Sequence, residues 1–178
     1  MTRLLTATAA LALMTGAAFA QTDAPEAAPA ETTTASASFV NMEGADNGTA
    51  TLTGTPNGEL IELEVSGLPE GEWLGFHIHE TGTCDHETDH ESAGGHFNPG
   101  DAGHGYMADG GPHAGDMPNQ YVGADGVLRA QVFNSMVTLD DGDTGISGRA
   151  LMIHGGTDDY STQPTGDAGD RYACAVIE

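Results

Sequence analysis

The chain has 178 residues, enough for one domain with a real core and too few for two comfortable ones. Twenty-seven acidic residues face four arginines and no lysine, a formal charge of −23, so the basic footprint that nucleic acid or an anionic membrane surface requires is missing. Charge of this size favours solubility and says little about fold.

The first twenty residues read as a removable export signal. Arg3 supplies a thin positive start, an apolar stretch follows, and Ala18-Phe19-Ala20 is an A-x-A cleavage signature before Gln21. The apolar stretch is too short and too rich in small residues for a membrane span. The residue at the cleavage point is Gln21 and not cysteine, which argues against a lipid anchor. Cleavage would remove one arginine and no acid, leaving 3 cations against 27 acids, or −24. Residues 21–34 form an Ala/Pro/Thr/Glu-rich leader without a large apolar side chain, a composition that cannot offset chain entropy and is expected to be disordered. The domain is expected to run from residue 35 to 178.

Beyond the leader the pattern changes to short alternating runs punctuated by Gly, Pro, Asn and Asp. Candidate strands are Ser38 to Met42, then Thr49 to Thr53 and Glu59 to Val65 flanking a Pro56-Asn57-Gly58 turn. Trp73 to His79, Gln120 to Val122, Val127 to Phe133 (after an Asp125-Gly126 turn), Met136 to Leu139 and Ile146 to Ile153 follow. About eight short strands without helical periodicity predict an all-β antiparallel sandwich or barrel. Between Thr81 and Asn119 regular structure is expected to stop, and a stretch of that length needs something other than a core to order it. A disulfide and metal are the candidates. Cys84 and Cys174 are the only cysteines, and after export such a pair is most simply one disulfide.

His77 and His79 stand two apart on a predicted strand, so both imidazoles share one face while Phe76 and Ile78 turn to the core. Imidazole suits copper and zinc. His96, His104, His113 and Asp116 lie in a glycine-rich stretch that can wrap an ion, and three imidazoles with one carboxylate make a closed tetrahedral zinc set. His154 ends a strand. His86 and His90 fall outside these groups, and a solvated polar subloop is preferred for them over an accessory metal site.

Taken together, GFHIHE, GGHFNP, the H-x8-H-x2-D run from His104 to Asp116, the strand-end His154 and GDRYACAVI resemble copper,zinc superoxide dismutases of the exported bacterial type, over residues 36–178. The resemblance implies an eight-stranded Greek-key β-barrel with long metal-binding and electrostatic loops, and dismutation of superoxide to dioxygen and hydrogen peroxide. It implies copper on His77, His79, His96 and His154, and zinc on His96, His104, His113 and Asp116, with His96 bridging the two. Asp158 would hold the free nitrogens of His77 and His104, Cys84 would pair with Cys174, and Arg171 would stand beside copper as the superoxide anchor. A periplasmic or secreted enzyme follows, with superoxide as its partner and neither nucleic acid nor membrane; family members occur as monomers and as homodimers, so a homodimer stays open. The family is known for electrostatic steering, yet the segment from Asp158 to Asp170 carries acids and no lysine. A non-catalytic metal-holding relative would be expected to lack a copper ligand or the arginine, and a copper-only relative a zinc ligand.

Overall fold

In a computed structural model, residues 32–178 are described. The expected export signal and nearly all of the expected leader lie outside the described residues. Eight strands form one antiparallel sheet: β1 (Thr34–Asn41), β2 (Asp46–Thr55), β3 (Gly58–Val65), β4 (Trp73–His79), β5 (Asp116–Tyr121), β6 (Leu128–Asn134), β7 (Ala150–His154) and β8 (Arg171–Ile177). Their order across the sheet is β5-β4-β7-β8-β1-β2-β3-β6, and β5 and β6 approach each other to bring the barrel near closure. β1, β2 and β3 pair through short hairpins, while β4 with β5, β7 with β8, β1 with β8, β3 with β6 and β4 with β7 pair across long connections, the Greek-key pattern.

Period-two alternation explains most of these strands. In β3, Ile61, Leu63 and Val65 are buried while Glu62 and Glu64 face water. Pro56 and Asn57 make the two-residue connection from β2, with Gly58 in register opposite Thr55. Gly126, at φ +71°, turns the chain into β6.

Two expected strands change. Met136 to Leu139 forms only an isolated bridge, Thr138 with Gly145, and its ends are caught by side chains: Asn134 Oδ1 accepts the Met136 N–H at 2.8 Å, and buried Glu59 accepts the Leu139 N–H at 3.0 Å. The run from Ile146 becomes strand only at Ala150, because Gly148 takes a positive φ and breaks the extended path, while Ile146 still fills the core. At the other end β1 begins at Thr34, one residue inside the expected leader.

The core holds Phe39, Leu52, Ile61, Leu74, Phe76 and Ile78. β7 is buried along its whole length, and in β4 only Trp73 is exposed. One face of these strands meets the core, and the other is covered by the long loops that carry the histidines.

Candidate metal centre

The strands β4 and β7 bring the first histidines together. Leu74, Phe76 and Ile78 of β4 point into the core, so His77 and His79 share the opposite face, under the loops. Ile153 of β7 pairs with Phe76 and places His154 at the same end of the barrel. His96 lies opposite His79 in an isolated bridge, anchored by the Phe97 N–H donating to the Ile78 carbonyl at 2.8 Å. Asp116 opens β5 in register with His77. Two quartets result, His77, His79, His96 and His154, and His96, His104, His113 and Asp116; in each, one ligand atom per residue lies within 4.8 Å of all the others. All seven residues are buried. His96 belongs to both.

Each ring has one nitrogen engaged outside the quartet or turned into it, and the pattern sorts the donor atoms. His77 Nε2 bonds Asp158 Oδ2 at 2.8 Å, and its Nδ1 has no protein partner. His79 Nδ1 donates to the Gly94 carbonyl at 2.9 Å, which leaves its Nε2 facing His154 Nε2 at 3.3 Å. Two buried imidazole nitrogens in that arrangement are suited to a shared cation. His96 turns Nδ1 to Asp116 at 2.8 Å, and its Nε2 is unpartnered. Three Nδ1 atoms, of His96, His104 and His113, converge on the Asp116 carboxylate at 2.8, 3.1 and 3.3 Å. A tetrahedral zinc shell with bonds of about 2.0 Å has edges of about 3.3 Å, so this cluster is close to the size such an ion needs.

The electrostatics agree with a site built for cations. Burial, with the neighbouring histidines and Arg171, holds His79 and His154 well below the usual imidazole range, so both rings are neutral. Burial also lowers His96, to about 4, despite its bond to Asp116. Burial works against a charge on His104 as well, but Asp116 and Asp158 outweigh it and raise this ring to about 9. Burial opposes the charge on Asp116, yet bonds from His104, His96 and the Gly105 N–H keep it far below the ordinary carboxylate range. Asp158 behaves likewise, through His104, His77 and the Tyr160 N–H.

Asp158 reaches both quartets: Oδ2 holds His77, and Oδ1 holds His104 Nε2 at 3.0 Å. Asn119 fixes it through two backbone bonds, Asn119 Nδ2 to the Asp158 carbonyl at 2.8 Å and the Asp158 N–H to Asn119 Oδ1 at 2.9 Å. Gln163 clamps His104 similarly, accepting its N–H at 2.7 Å and donating to its carbonyl at 2.8 Å. Neither Asn119 nor Gln163 is singled out by the sequence, since an amide that bonds only backbone leaves no motif.

Arg171 opens β8 beside His154 and is largely buried, its side chain 13% exposed. Its Nη1 and Nη2 donate to the carbonyls of His90 and Gly94 at 2.8 and 2.9 Å. The acid it meets is Glu91, at 3.5 Å, rather than the neighbouring Asp170. Cys84 and Cys174 are joined, with Cα atoms 5.5 Å apart across 90 residues. The two surplus histidines divide. His86 is exposed as expected of a solvated subloop, but His90 is completely buried, which overturns that expectation for it: the segment folds back on the β1–β2 turn and encloses the ring.

Comparison with known proteins places this geometry. The family model for copper/zinc superoxide dismutase matches residues 46–177. Copper-zinc superoxide dismutase 1 of Aquifex aeolicus is 49% identical over 146 residues, covering 80% of this chain and 86% of that protein. A superoxide dismutase-like protein from Bacillus subtilis superposes with a TM-score of 0.75 at 38% identity, over 79% of this chain and 95% of the other. The copper/zinc superoxide dismutase of Brucella abortus gives 0.67 at 30% identity, over 83% and 100%. With a matching sequence, barrel and pair of buried ligand clusters, the chain belongs to the copper/zinc superoxide dismutase family, oxidoreductases that convert superoxide to dioxygen and hydrogen peroxide.

Proposed function

We propose that His77, His79, His96 and His154 hold copper, that His96, His104, His113 and Asp116 hold zinc, and that Arg171 docks superoxide. The carrying observation is that one residue, His96, belongs to both quartets, with Nδ1 turned to the zinc cluster and Nε2 free toward the copper cluster. The donor sets support the assignment: four neutral imidazoles suit a redox-active copper, and three imidazoles with one carboxylate suit a closed, redox-inert zinc. When bound, copper supplies the one-electron couple and zinc supplies structure and positive charge.

The chain's own groups do the rest. Arg171, held by two carbonyls, presents its guanidinium to an anion arriving beside His79 and His154, whose protonation it already disfavours. Nε2 of His96 is the atom at which a proton would be held and passed to the second superoxide, while Nδ1, on the Asp116 side, would hold zinc. Asp158 keeps His77 and His104 in the tautomers that turn Nδ1 inward. With every copper-set ligand, every zinc-set ligand and the arginine present, a purely metal-holding role is disfavoured.

Action outside the cytoplasm is part of the same reading, supported by the formed Cys84–Cys174 bridge and the A-x-A signature at Ala18 to Ala20. The deciding experiment loads the protein with copper and zinc, quantifies both, and assays dismutation before and after His96→Ala. A fall of at least about 100-fold is expected from loss of the proton-handling bridge. Full activity in that variant would overturn the bridging assignment.

A further inference from the structure

His90 is a buried histidine that neither quartet uses. Its residue is 0% exposed, both ring nitrogens lack a hydrogen-bond partner within the protein, and its backbone sits in the left-handed region at φ +59°. An imidazole always carries an N–H, so leaving the ring unpaired in an interior is costly, and a left-handed non-glycine residue adds to the cost. Two local penalties on one side chain are kept where the surroundings impose them, and they point to a task.

The contacts on either side of the residue indicate what the task is. The ring approaches the Asn41 carbonyl in the β1–β2 turn, without a directed bond. That turn is itself fixed, since Asn41 Oδ1 accepts the N–H groups of Glu43 and Ala45 at 3.0 and 2.9 Å. The His90 carbonyl accepts two donors, the Ala93 N–H at 3.1 Å and Arg171 Nη1 at 2.8 Å. The short 3-10 turn Glu91–Ala93 lies between His90 and Gly94, so these two residues cap it and offer Arg171 a fork of two carbonyls. The Gly94 carbonyl also accepts His79 Nδ1 at 2.9 Å, which ties the fork to the copper quartet. Upstream, the His90 N–H donates to the Asp85 carbonyl at 2.9 Å, next to the disulfide at Cys84, so the backbone is held on that side and the ring under the β1–β2 turn holds it on the other.

We propose that His90 is a positioning residue for superoxide docking: its buried imidazole, wedged under the β1–β2 turn, pins the carbonyl that aims the Arg171 guanidinium at the copper cluster. This rests on the docking role assigned to Arg171 above. His90 touches neither substrate nor metal; it acts through Arg171. His is also among the residues that tolerate the left-handed backbone the fork requires.

The test is azide binding, an anion stand-in for superoxide, followed by the visible absorption of the copper- and zinc-loaded protein. His90→Ala, His90→Asn, Arg171→Ala and the His90→Ala/Arg171→Ala double variant are compared with wild type, with metal content and thermal unfolding measured for each. His90→Asn keeps the left-handed backbone accessible but lacks the reach of the ring. Both single His90 variants should carry full copper and zinc and bind azide on the order of fivefold more weakly. Arg171→Ala should lose on the order of tenfold, and the double variant should lose no more than Arg171→Ala alone, because the two residues act in one chain of contacts. Additive losses, wild-type azide affinity in the His90 variants, or their failure to take up metal would each overturn the positioning role. Unchanged azide affinity in Arg171→Ala would instead overturn the docking role itself, so the two readings fail separately.

Discussion

Asp158 bonds one ring from each quartet and ligates neither, so its removal separates orientation from ligation. Without the carboxylate, His77 and His104 lose the acceptors that fix their tautomers, and the backbone bonds from Asn119 remain to hold the loop. Loss of an outer partner of this kind commonly costs 10- to 100-fold in metal affinity, so Asp158→Asn should weaken zinc binding by about that factor. Competition against a chromophoric chelator measures it. Unchanged zinc affinity would show that the ligands are oriented by packing alone. The convergence of His77, His79, His96, His104, His113, His154 and Asp116 into two clusters was legible in the sequence because spacing of this kind leaves a pattern. His90 was misread as solvated, since no local pattern reveals that a polar ring in an acidic subloop is enclosed by a turn about fifty residues upstream.

At the scale of elements, the strands were legible where alternation was clean, as in β3 and β4, and blurred where it was not. Met136 to Leu139 alternates like a strand, but with side chains of Asn134 and Glu59 taking its end N–H groups it makes only one isolated bridge, at Thr138. The long span after Thr81 carries only two short 3-10 turns before β5, so its order comes from the disulfide and the ligand clusters rather than from a ladder. The segment after Asp158 depends on Gly166, which has φ +70° and passes so close that an added Cβ would overlap Asp158 Oδ1 and His104 Nε2. Only glycine meets both conditions. Gly166→Ala should therefore push Asp158 off His104 and reproduce the zinc weakening of Asp158→Asn, while unfolding in the metal-loaded form shifts by no more than a few degrees. Wild-type zinc affinity in Gly166→Ala would show that this loop adapts without moving the carboxylate. The other anchor is the bridge: Cys84→Ser opens a loop of 90 residues and should destabilise the protein by about 2–5 kcal/mol in chemical unfolding. A loss under about 1 kcal/mol would show that the metal clusters alone order the segment.

Across the whole molecule, charge decides how stability and substrate capture respond to the solvent. In the metal-free protein His104 is raised from 6.5 to about 9, so its contribution is complete below pH 6.5 and disappears as pH rises through about 9. His96, lowered from 6.5 to about 4, acts in the opposite sense: the unfolded chain takes the proton first, and stability falls as pH drops from 6.5 towards 4. Asp116 and Asp158, both held low, extend that acid loss. Metal-free protein should thus show a maximum melting temperature near pH 6.5, and metal should abolish the alkaline decline because a ligated His104 releases its proton on binding. A metal-free melting temperature that is flat from pH 6.5 to 9 would contradict this. Substrate capture follows from the same charge. Superoxide is an anion approaching a chain of formal charge −23, and around Arg171 the exposed acids Asp159, Asp167 and Asp170 follow one another with no lysine between. Glu91, 72% exposed at its side chain, stands 3.5 Å from the guanidinium. At physiological ionic strength charges farther than about 8 Å are screened, so the anion meets the repulsive body at low salt and mainly the local arginine and metals at high salt. Attraction and repulsion are therefore both reduced by salt, and they offset each other. The second-order rate of dismutation should change less than about twofold between about 10 and 150 mM salt, and should be lower than in relatives with lysines in this segment. Pulse-generated superoxide at stepped ionic strengths gives the slope directly. A several-fold fall over that range would mean that a positive field extends well beyond Arg171, and the acidic segment would then have to be turned away from the path of the substrate.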